Sequence, residues 1–221
     1  MISILYQDDD CVAVMKPCGV AAVPERADDE TCLSFLLACQ LGRRVFPVHR
    51  LDKEVSGVIL FALSAAAHRA LNTAFEQREV HKTYLAVAHG AMAGDSGVIR
   101  HPIRAFGSGR MGVDAAKGKP SETRYEVVER RGAYSLVRLH PLTGRRHQLR
   151  VHLYSVGHPI AGDPLYGDPG LRLGHPRLML TSTGLAVRLP GGAALSLCDL
   201  VPADFRDACQ AVYGFCDGGR Q

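Results

Sequence analysis

An arginine and an aspartate two residues apart are the side chains of this sequence best placed for acid–base chemistry. Arg50 and Asp52 precede Ser56 and Gly57, and the apolar residues 58–61 follow at once. A short apolar run behind a glycine is typical of a buried strand. A carboxylate in the loop before such a strand is held at the end of a rigid element, where it can be aimed at a substrate. The same spacing also fits an ion pair between Arg50 and Asp52 that stiffens the loop.

A second group of reactive side chains lies in residues 141–152. Three arginines and two histidines stand there within eight positions, too many for all of them to face a core. We interpret Arg145 and Arg146 as part of a basic helix face that lies on phosphates. On the same predicted helix, a core stripe is formed by Leu149, Leu153 and Val156, and a neighbouring face gathers Arg146, His147, Arg150 and Tyr154.

The distribution of charge supports a polyanionic partner. The chain carries a net charge of +4, but Arg100 to Arg150 alone contains twelve Lys or Arg and four Asp or Glu, a local balance of +8. Such a concentration indicates a surface that faces nucleic acid, provided that the fold gathers these residues on one side. If the fold spreads them over several strands instead, they are ordinary solvated charges.

Composition excludes several other classes. With 221 residues and 47% hydrophobic content, the chain is long enough to bury a core, and no apolar run approaches the roughly 20 residues that span a bilayer. The first residues lack a basic segment and soon reach Asp8, unlike a signal peptide. The seven cysteines include no C-x2-C pair, which argues against a zinc site or a disulfide framework. We therefore expect a cytoplasmic, soluble protein without a bound metal and without a membrane association.

The remaining elements must position these groups. Many strands with a few helices between them predict an α+β fold. A resemblance to a known family, described below, implies a single catalytic domain over 1–221, built on a mostly antiparallel mixed sheet with flanking helices and an active-site cleft. Residues 216–221 are predicted to be a frayed tail. The pattern predicts helices at 31–41, 64–77, 143–156 and 202–212, and strands at 2–6, 11–15, 58–61, 83–89, 122–129, 134–140, 178–181, 185–189 and 194–197.

Residues 100–120 are predicted to form a mobile basic loop. They include the formal G-x-G-x-x-G sequence from Gly107 to Gly112. A dinucleotide site needs a strand before this sequence and a helix after it, but Pro102 interrupts the one and Pro120 the other. We therefore reject a nucleotide site here.

One stretch resembles a known family. Residues His49-Arg50-Leu51-Asp52, followed by Ser56-Gly57, are similar to the HRLDxxTSG signature of the RluA family of RNA pseudouridine synthases. The resemblance implies that Asp52 is the catalytic residue and that Arg50 fills the place vacated by a flipped base. Two departures are Val55, where the family usually has threonine, and Thr181-Ser182, where relatives often have His-Ala.

Two further motifs occur in the family's order along the chain. The run from His81 to Ala86 resembles a K-x-Y-x-A motif, which implies that Tyr84 stacks on the target base, although a strand tyrosine is more commonly core packing. The run from Gly144 to His152 resembles a GRxHQLRxH motif, which implies that Arg150 pairs with Asp52. Substrate contacts are expected from the residues of the three motifs: His49, Arg50, Leu51, Lys82, Arg145, Arg146, His147 and Gln148.

The resemblance implies an isomerase that needs no cofactor or metal and converts specific uridines to pseudouridine in structured tRNA, large-subunit rRNA or both. RNA is the expected partner, and we expect a monomer. Two alternatives belong to other classes. A non-catalytic RNA-binding module would keep the fold without the chemistry. A hydrolase that uses Asp52 and Glu54 as a carboxylate pair is disfavoured, because the two residues are too close in sequence to flank a glycosidic bond.

Overall fold

The computed structural model describes residues 1–26, 29–107, 109–172 and 174–215. These residues form two compact units. The first comprises Met1–Lys82 and Ser182–Pro202, and the second comprises Thr83–Thr181 with the described residues from Ala203 onward. The predicted frayed tail, 216–221, lies outside the described residues, and the single domain over 1–221 stays a prediction.

The first unit is built on antiparallel strands. In chain order it contains β1 (Ser3–Gln7), β2 (Cys11–Lys16), α1 (Leu33–Leu41), β3 (Phe46–Pro47), β4 (Ser56–Ala62), α2 (Ala65–Glu76), most of β11 (Leu180–Arg188) and β12 (Ala194–Leu197). The strands neighbour one another in the order β1-β2-β4-β11, with β3 also on β4 and β12 also on β11. The pairs β1–β2, β2–β4, β3–β4 and β11–β12 are antiparallel.

Strand β4 is the centre of this unit, and all seven of its residues are buried. Val58 and Leu60 belong to a core that also includes Leu71 of α2 and Val187 of β11. Burial on both faces explains why the strand reads as a continuous apolar run. Helix α2 begins where the sequence predicts, because the Ser64 hydroxyl accepts a hydrogen bond from the Ala67 N–H. The loop that carries Asp52 therefore leads directly into a fully buried strand at the centre of its unit.

The second unit is also largely antiparallel. It contains most of β5 (His81–His89), β6 (Ser96–Ile99), β7 (Ile103–Ala105), β8 (Met111–Val113), β9 (Thr123–Arg131), β10 (Tyr134–Pro141), α3 (Gln148–Ser155), a 3-10 turn (Pro169–Arg172) and α4 (Ala203–Tyr213). Its larger sheet has the antiparallel order β5-β10-β9-β6, and β7 pairs with β8 in a separate hairpin. The predicted α+β fold with mostly antiparallel strands is thus confirmed.

The prediction of a mobile loop over residues 100–120 is wrong. Its two arms are β7 and β8, and Ile103 also exchanges backbone hydrogen bonds with Lys119. The side chain of Ile103 is buried and packs with Val151 and Tyr166. Each strand is only three residues long, too short to leave an alternating pattern in the sequence. Met111 and Gly112, the last two residues of the rejected dinucleotide sequence, belong to β8.

The third helix begins five residues later than predicted. His147 precedes it with φ 54°, a left-handed backbone conformation that cannot continue a helix toward Thr143. Other departures concern strands. The predicted strands 178–181 and 185–189 form one strand, β11, and the short strands β3 and β6 were not predicted. Among the described residues no helix is long and apolar enough to cross a membrane.

Candidate active site

A buried lysine fixes the loop that carries Asp52. Lys16, at the end of β2, has no exposed surface, and its ammonium donates hydrogen bonds to the carbonyl oxygens of Pro17 (3.0 Å), Val20 (2.5 Å) and Lys53 (3.0 Å). A buried ammonium is costly unless its protons are satisfied, and here three carbonyls satisfy them. Lys16 therefore pins the residue next to Asp52, a role that the sequence analysis did not assign.

Two backbone hydrogen bonds close the same loop. The Val55 N–H donates to the Asp52 carbonyl (3.0 Å), and the Gly19 N–H donates to the Lys53 carbonyl (2.9 Å). Asp52 itself is half-buried, and the side chain of Val55 is buried. The valine that stands where the family usually has threonine is thus a buried apolar side chain in this turn.

Gly57 allows the backbone of β11 to approach this loop. Its φ is 113°, and a Cβ built there would lie 2.0 Å from the carbonyl oxygen of Ser182. Any other residue would clash with that backbone, so the contact requires glycine. Thr181 and Ser182 are both buried. The second departure from the family's pattern therefore lies directly beside the strand that follows the acid.

The structure places His49 and Lys82 at the same aromatic ring. The His49 ring stacks on Phe75 at 4.8 Å between centroids, and the Lys82 ammonium lies 6.0 Å from the Phe75 centroid. The Nε2 atom of His49 accepts a hydrogen bond from the Leu60 N–H (3.0 Å), so His49 is neutral and holds the loop to β4. Burial, reinforced by the charge of Lys82, lowers the pKa of His49 to about 3. Burial also lowers the pKa of Lys82.

Arg50 and Leu51 point to different environments. Arg50 is exposed, whereas the side chain of Leu51 is buried. Tyr84 lies in β5 of the second unit, opposite Leu139 of β10, and is only 8% exposed. The predicted substrate contacts of Leu51 and Tyr84 stay predictions, and any contact by Leu51 has to involve its backbone or the small exposed part of its side chain.

Gln148 organises the loop before α3. Its side-chain oxygen accepts hydrogen bonds from the Thr143 hydroxyl (2.7 Å) and the Arg145 N–H (3.0 Å), and its amide donates to Glu122 and Thr123 (both 3.0 Å). The buried amide therefore has a partner at both ends. This geometry favours an indirect role, in which Gln148 shapes the backbone that presents Arg145.

The three basic residues before α3 differ in exposure. Arg146 is exposed, and Arg145 is half-buried with its Nε donating to the Pro120 carbonyl (3.3 Å). His147 is half-buried, and its Nδ1 lies 2.8 Å from the Tyr166 hydroxyl. Of the three, Arg146 is the side chain most accessible to a phosphate.

Arg150 forms a buried, bidentate ion pair with Asp163. Nε and Nη2 of Arg150 each lie 2.8 Å from a carboxylate oxygen, and both residues are 1% exposed. Asp163 also accepts hydrogen bonds from the backbone N–H groups of Leu165 (2.8 Å) and Tyr166 (3.1 Å). The guanidinium lies over the Tyr166 ring at 5.2 Å. Such a pair fixes a buried cation in one orientation.

Neither Asp163 nor Tyr166 was predicted from the sequence. The available signal was the run Gly162-Asp163-Pro164-Leu165-Tyr166-Gly167, in which an aspartate two or three residues before backbone donors is typical of a side-chain-capped turn. Nothing in that run indicates its partner Arg150, because the ion pair is a tertiary contact. The predicted pairing of Arg150 with Asp52 stays a prediction.

The described residues contain no group of three or more His, Cys, Asp or Glu side chains that could hold a metal ion.

Residues 10–155 match the family model described as RNA pseudouridylate synthase. The Dual-specificity RNA pseudouridine synthase RluA of Escherichia coli strain K12 is 40% identical over 209 residues, which cover 91% of this chain and 93% of that protein. The protein of the same name from Vibrio cholerae is 37% identical over 206 residues, covering 92% and 84% respectively.

Two solved structures have the same fold. Human RNA Pseudouridylate Synthase Domain Containing 1 superposes with a TM-score of 0.81 and 32% identity, covering 94% of this chain and 85% of that one. Human RNA Pseudouridylate Synthase Domain Containing 4 superposes with a TM-score of 0.77 and 27% identity, covering 94% and 92%. The residues matched by the family model, 10–155, include all three motifs.

Proposed function

The chain belongs to the RluA family of RNA pseudouridine synthases. On this basis we propose that the protein converts specific uridines to pseudouridine in structured RNA, with Asp52 as its catalytic carboxylate. The observation that carries the proposal is the rigid presentation of Asp52. Its loop is held by the Lys16 ammonium, by the neutral His49 ring and by the close approach of Gly57 to Ser182. Catalytic groups need this kind of support to keep a productive geometry.

The reaction moves one base from a nitrogen to a carbon linkage. The N1–C1′ bond breaks, the uracil turns while it stays bound, and a C5–C1′ bond forms. The C5 proton leaves, and N1 ends with a proton, so atoms and charges balance without an external reactant. Asp52 acts on the ribose or the base to promote the first cleavage.

The target nucleotide must leave its stack before Asp52 can reach it. We propose that the exposed Arg50 side chain takes the vacated place and that Tyr84 stacks on the flipped uracil. Stacking on an aromatic ring contributes about 1–3 kcal/mol with little sequence preference. Only the small exposed part of Tyr84 is available for this contact, so the base has to meet the edge or one face of a ring that is otherwise packed.

Arg150 is proposed to pair with Asp52 and to orient its carboxylate. A guanidinium has further donors after a bidentate pair with Asp163, so the two acids can share one cation. In this proposal Asp163 sets the orientation of Arg150, and Arg150 in turn sets the orientation of the catalytic carboxylate. Lys82 and Arg146 are proposed to contact the RNA backbone near the target.

For the substrate, we propose tRNA, large-subunit rRNA or both. The printed name of the Escherichia coli relative describes a dual-specificity enzyme, and this chain is similar to it over nearly its full length. The +8 balance between Arg100 and Arg150 supports a folded RNA partner, since phosphate contacts provide most of the binding free energy.

Release of tritium from C5-labelled uridine tests this function. Purified protein is incubated with labelled transcripts of bulk tRNA sequences or of large-subunit rRNA fragments, in buffer with excess EDTA and no added cofactor. We expect tritium release and pseudouridine at defined positions in at least one of the two RNA classes. RNA binding without tritium release from either class would contradict the proposal and favour a non-catalytic RNA-binding module.

A further inference from the structure

Tyr166 has a hydroxyl with two partners in different elements. The oxygen accepts a hydrogen bond from the Met111 N–H of β8 (3.1 Å) and lies 2.8 Å from Nδ1 of His147, just before α3. Because the oxygen already accepts from Met111, its own proton is available to the imidazole nitrogen. Burial raises the pKa of Tyr166, so the hydroxyl keeps that proton at neutral pH.

The ring of Tyr166 has a second set of partners. The Arg150 guanidinium lies 5.2 Å from the ring centroid, and the Arg110 guanidinium, from the turn of the β7–β8 hairpin, lies at the same distance. The ring also packs with Ile103 of β7 and Val151 of α3. Its backbone N–H donates to Asp163.

These contacts exceed what packing requires. Tyr166 is 2% exposed, and a phenylalanine would fill the same space and cover Arg150 equally well. A buried hydroxyl is costly unless it is hydrogen-bonded, so its retention here indicates that its bonds have a use. Those bonds join the start of α3 to the β7–β8 hairpin, while the ring lies against the Arg150–Asp163 pair. A single residue thus connects a surface hairpin to the buried cation of the site.

The hairpin has the chemistry of an RNA contact. Arg104 is ion-paired with Asp114 (2.7 Å) and lies over Phe106, whereas Arg110 is exposed and has no acidic partner among the described residues. A guanidinium held against aromatic rings is presented to a phosphate with little loss of conformational freedom.

From these contacts we propose that Tyr166 is a positioning residue that couples the β7–β8 hairpin to Arg150. The inference rests on the proposed function. The hydroxyl sets the position of the hairpin, and with it the recognition of RNA around the target. The ring sets the position of Arg150, and with it the rate of the chemical step.

Two substitutions separate these roles. Tyr166→Phe removes the hydroxyl and keeps the ring, and Tyr166→Leu removes both. Tyr154→Phe is the matched control, because the Tyr154 ring also lies near Arg110 (6.0 Å) but is exposed, with no hydrogen bond from its hydroxyl to a described residue. Each protein is measured by amide hydrogen exchange of residues 103–113 and by kcat and KM for tritium release.

Tyr166→Phe is expected to speed exchange at Met111 and to raise KM, each by about 10-fold, the usual effect of losing one buried hydrogen bond. Its kcat is expected to stay within about 3-fold of the wild-type value, because its ring still covers Arg150. Tyr166→Leu is expected to lower kcat by about 10-fold or more as well, since a small displacement of a positioned group is costly. Tyr154→Phe is expected to match the wild type.

Two results would overturn the proposal. Unchanged exchange in the hairpin of Tyr166→Phe would show that the hydroxyl does not position it. Faster exchange with wild-type KM would show that the hairpin's position has no bearing on recognition. The exchange measurement needs no activity, so a wild-type protein that releases no tritium refutes the proposed function alone. If Tyr166→Leu does not fold, Tyr166→Phe still decides the role of the hydroxyl.

Discussion

His49 shows how a single residue can support the catalytic loop through its protonation state. Its Nε2 accepts the Leu60 N–H, and protonation would replace that acceptor with a donor. The pKa of His49 is lowered to about 3 in the folded protein, below the value near 6.5 expected in the unfolded chain. The unfolded state therefore binds more protons below pH 6.5, and stability falls as the pH drops from about 6.5 toward 3.

We predict that His49→Gln reduces this acid sensitivity. Between pH 7.5 and pH 5 the wild-type protein is expected to lose up to about 2 kcal/mol of stability through His49. His152, whose pKa is lowered to about 4 mainly by burial, adds a similar loss in both proteins. Urea unfolding at the two pH values measures the difference. An identical pH dependence in His49→Gln and wild type would show that His49 is not buried in the neutral form.

At the scale of elements, the β7–β8 hairpin is a surface element that Ile103 anchors in the core, and it is not a mobile loop. Ile103 of β7 is 1% exposed and packs with Tyr166, whereas Val113 of β8 is 39% exposed. We predict that Ile103→Ala lowers the free energy of unfolding by about 2–4 kcal/mol and that the control Val113→Ala changes it by less than about 1 kcal/mol. Equal effects of the two substitutions in thermal or urea unfolding would contradict this assignment.

The sequence correctly predicted the helices and strands whose ends or burial are set by residues close by in the chain. Helix α2 follows the Ser64 cap, α1 ends at the left-handed Gly42, and β4 matches its apolar run. The later start of α3 could not be predicted from the sequence, because the left-handed conformation of His147 accompanies a tertiary contact with Tyr166. Motif resemblance identified Asp52, Arg150 and Tyr84 as candidates. Their supports are long-range contacts: Lys16 reaches Lys53 across 37 residues, and Arg150 reaches Asp163 across 13.

At the scale of the whole molecule, the uneven distribution of charge along the chain predicts which residues bind RNA. Arg146 is exposed within the basic segment, and Arg69 of α2 is an exposed arginine outside it. We predict that Arg146→Ala weakens binding to most RNA sequences alike and reduces the slope of log Kd against log salt by about one. Arg69→Ala is expected to leave the slope unchanged. An unchanged slope for Arg146→Ala, measured by filter binding over a salt series, would show that Arg146 does not meet phosphate.

The central claim is that Asp52 performs the chemistry, and single-turnover release of tritium from C5-labelled uridine at saturating protein tests it. Asp52→Asn keeps the size of the side chain and removes its charge. Glu54→Gln makes the same change two residues away in the same loop and serves as the control. We predict that Asp52→Asn lowers the rate by about 1,000-fold or more, with RNA affinity and melting temperature unchanged, and that Glu54→Gln stays within about 3-fold of the wild-type rate. A near-normal rate for Asp52→Asn would contradict the assignment of Asp52 as the catalytic residue.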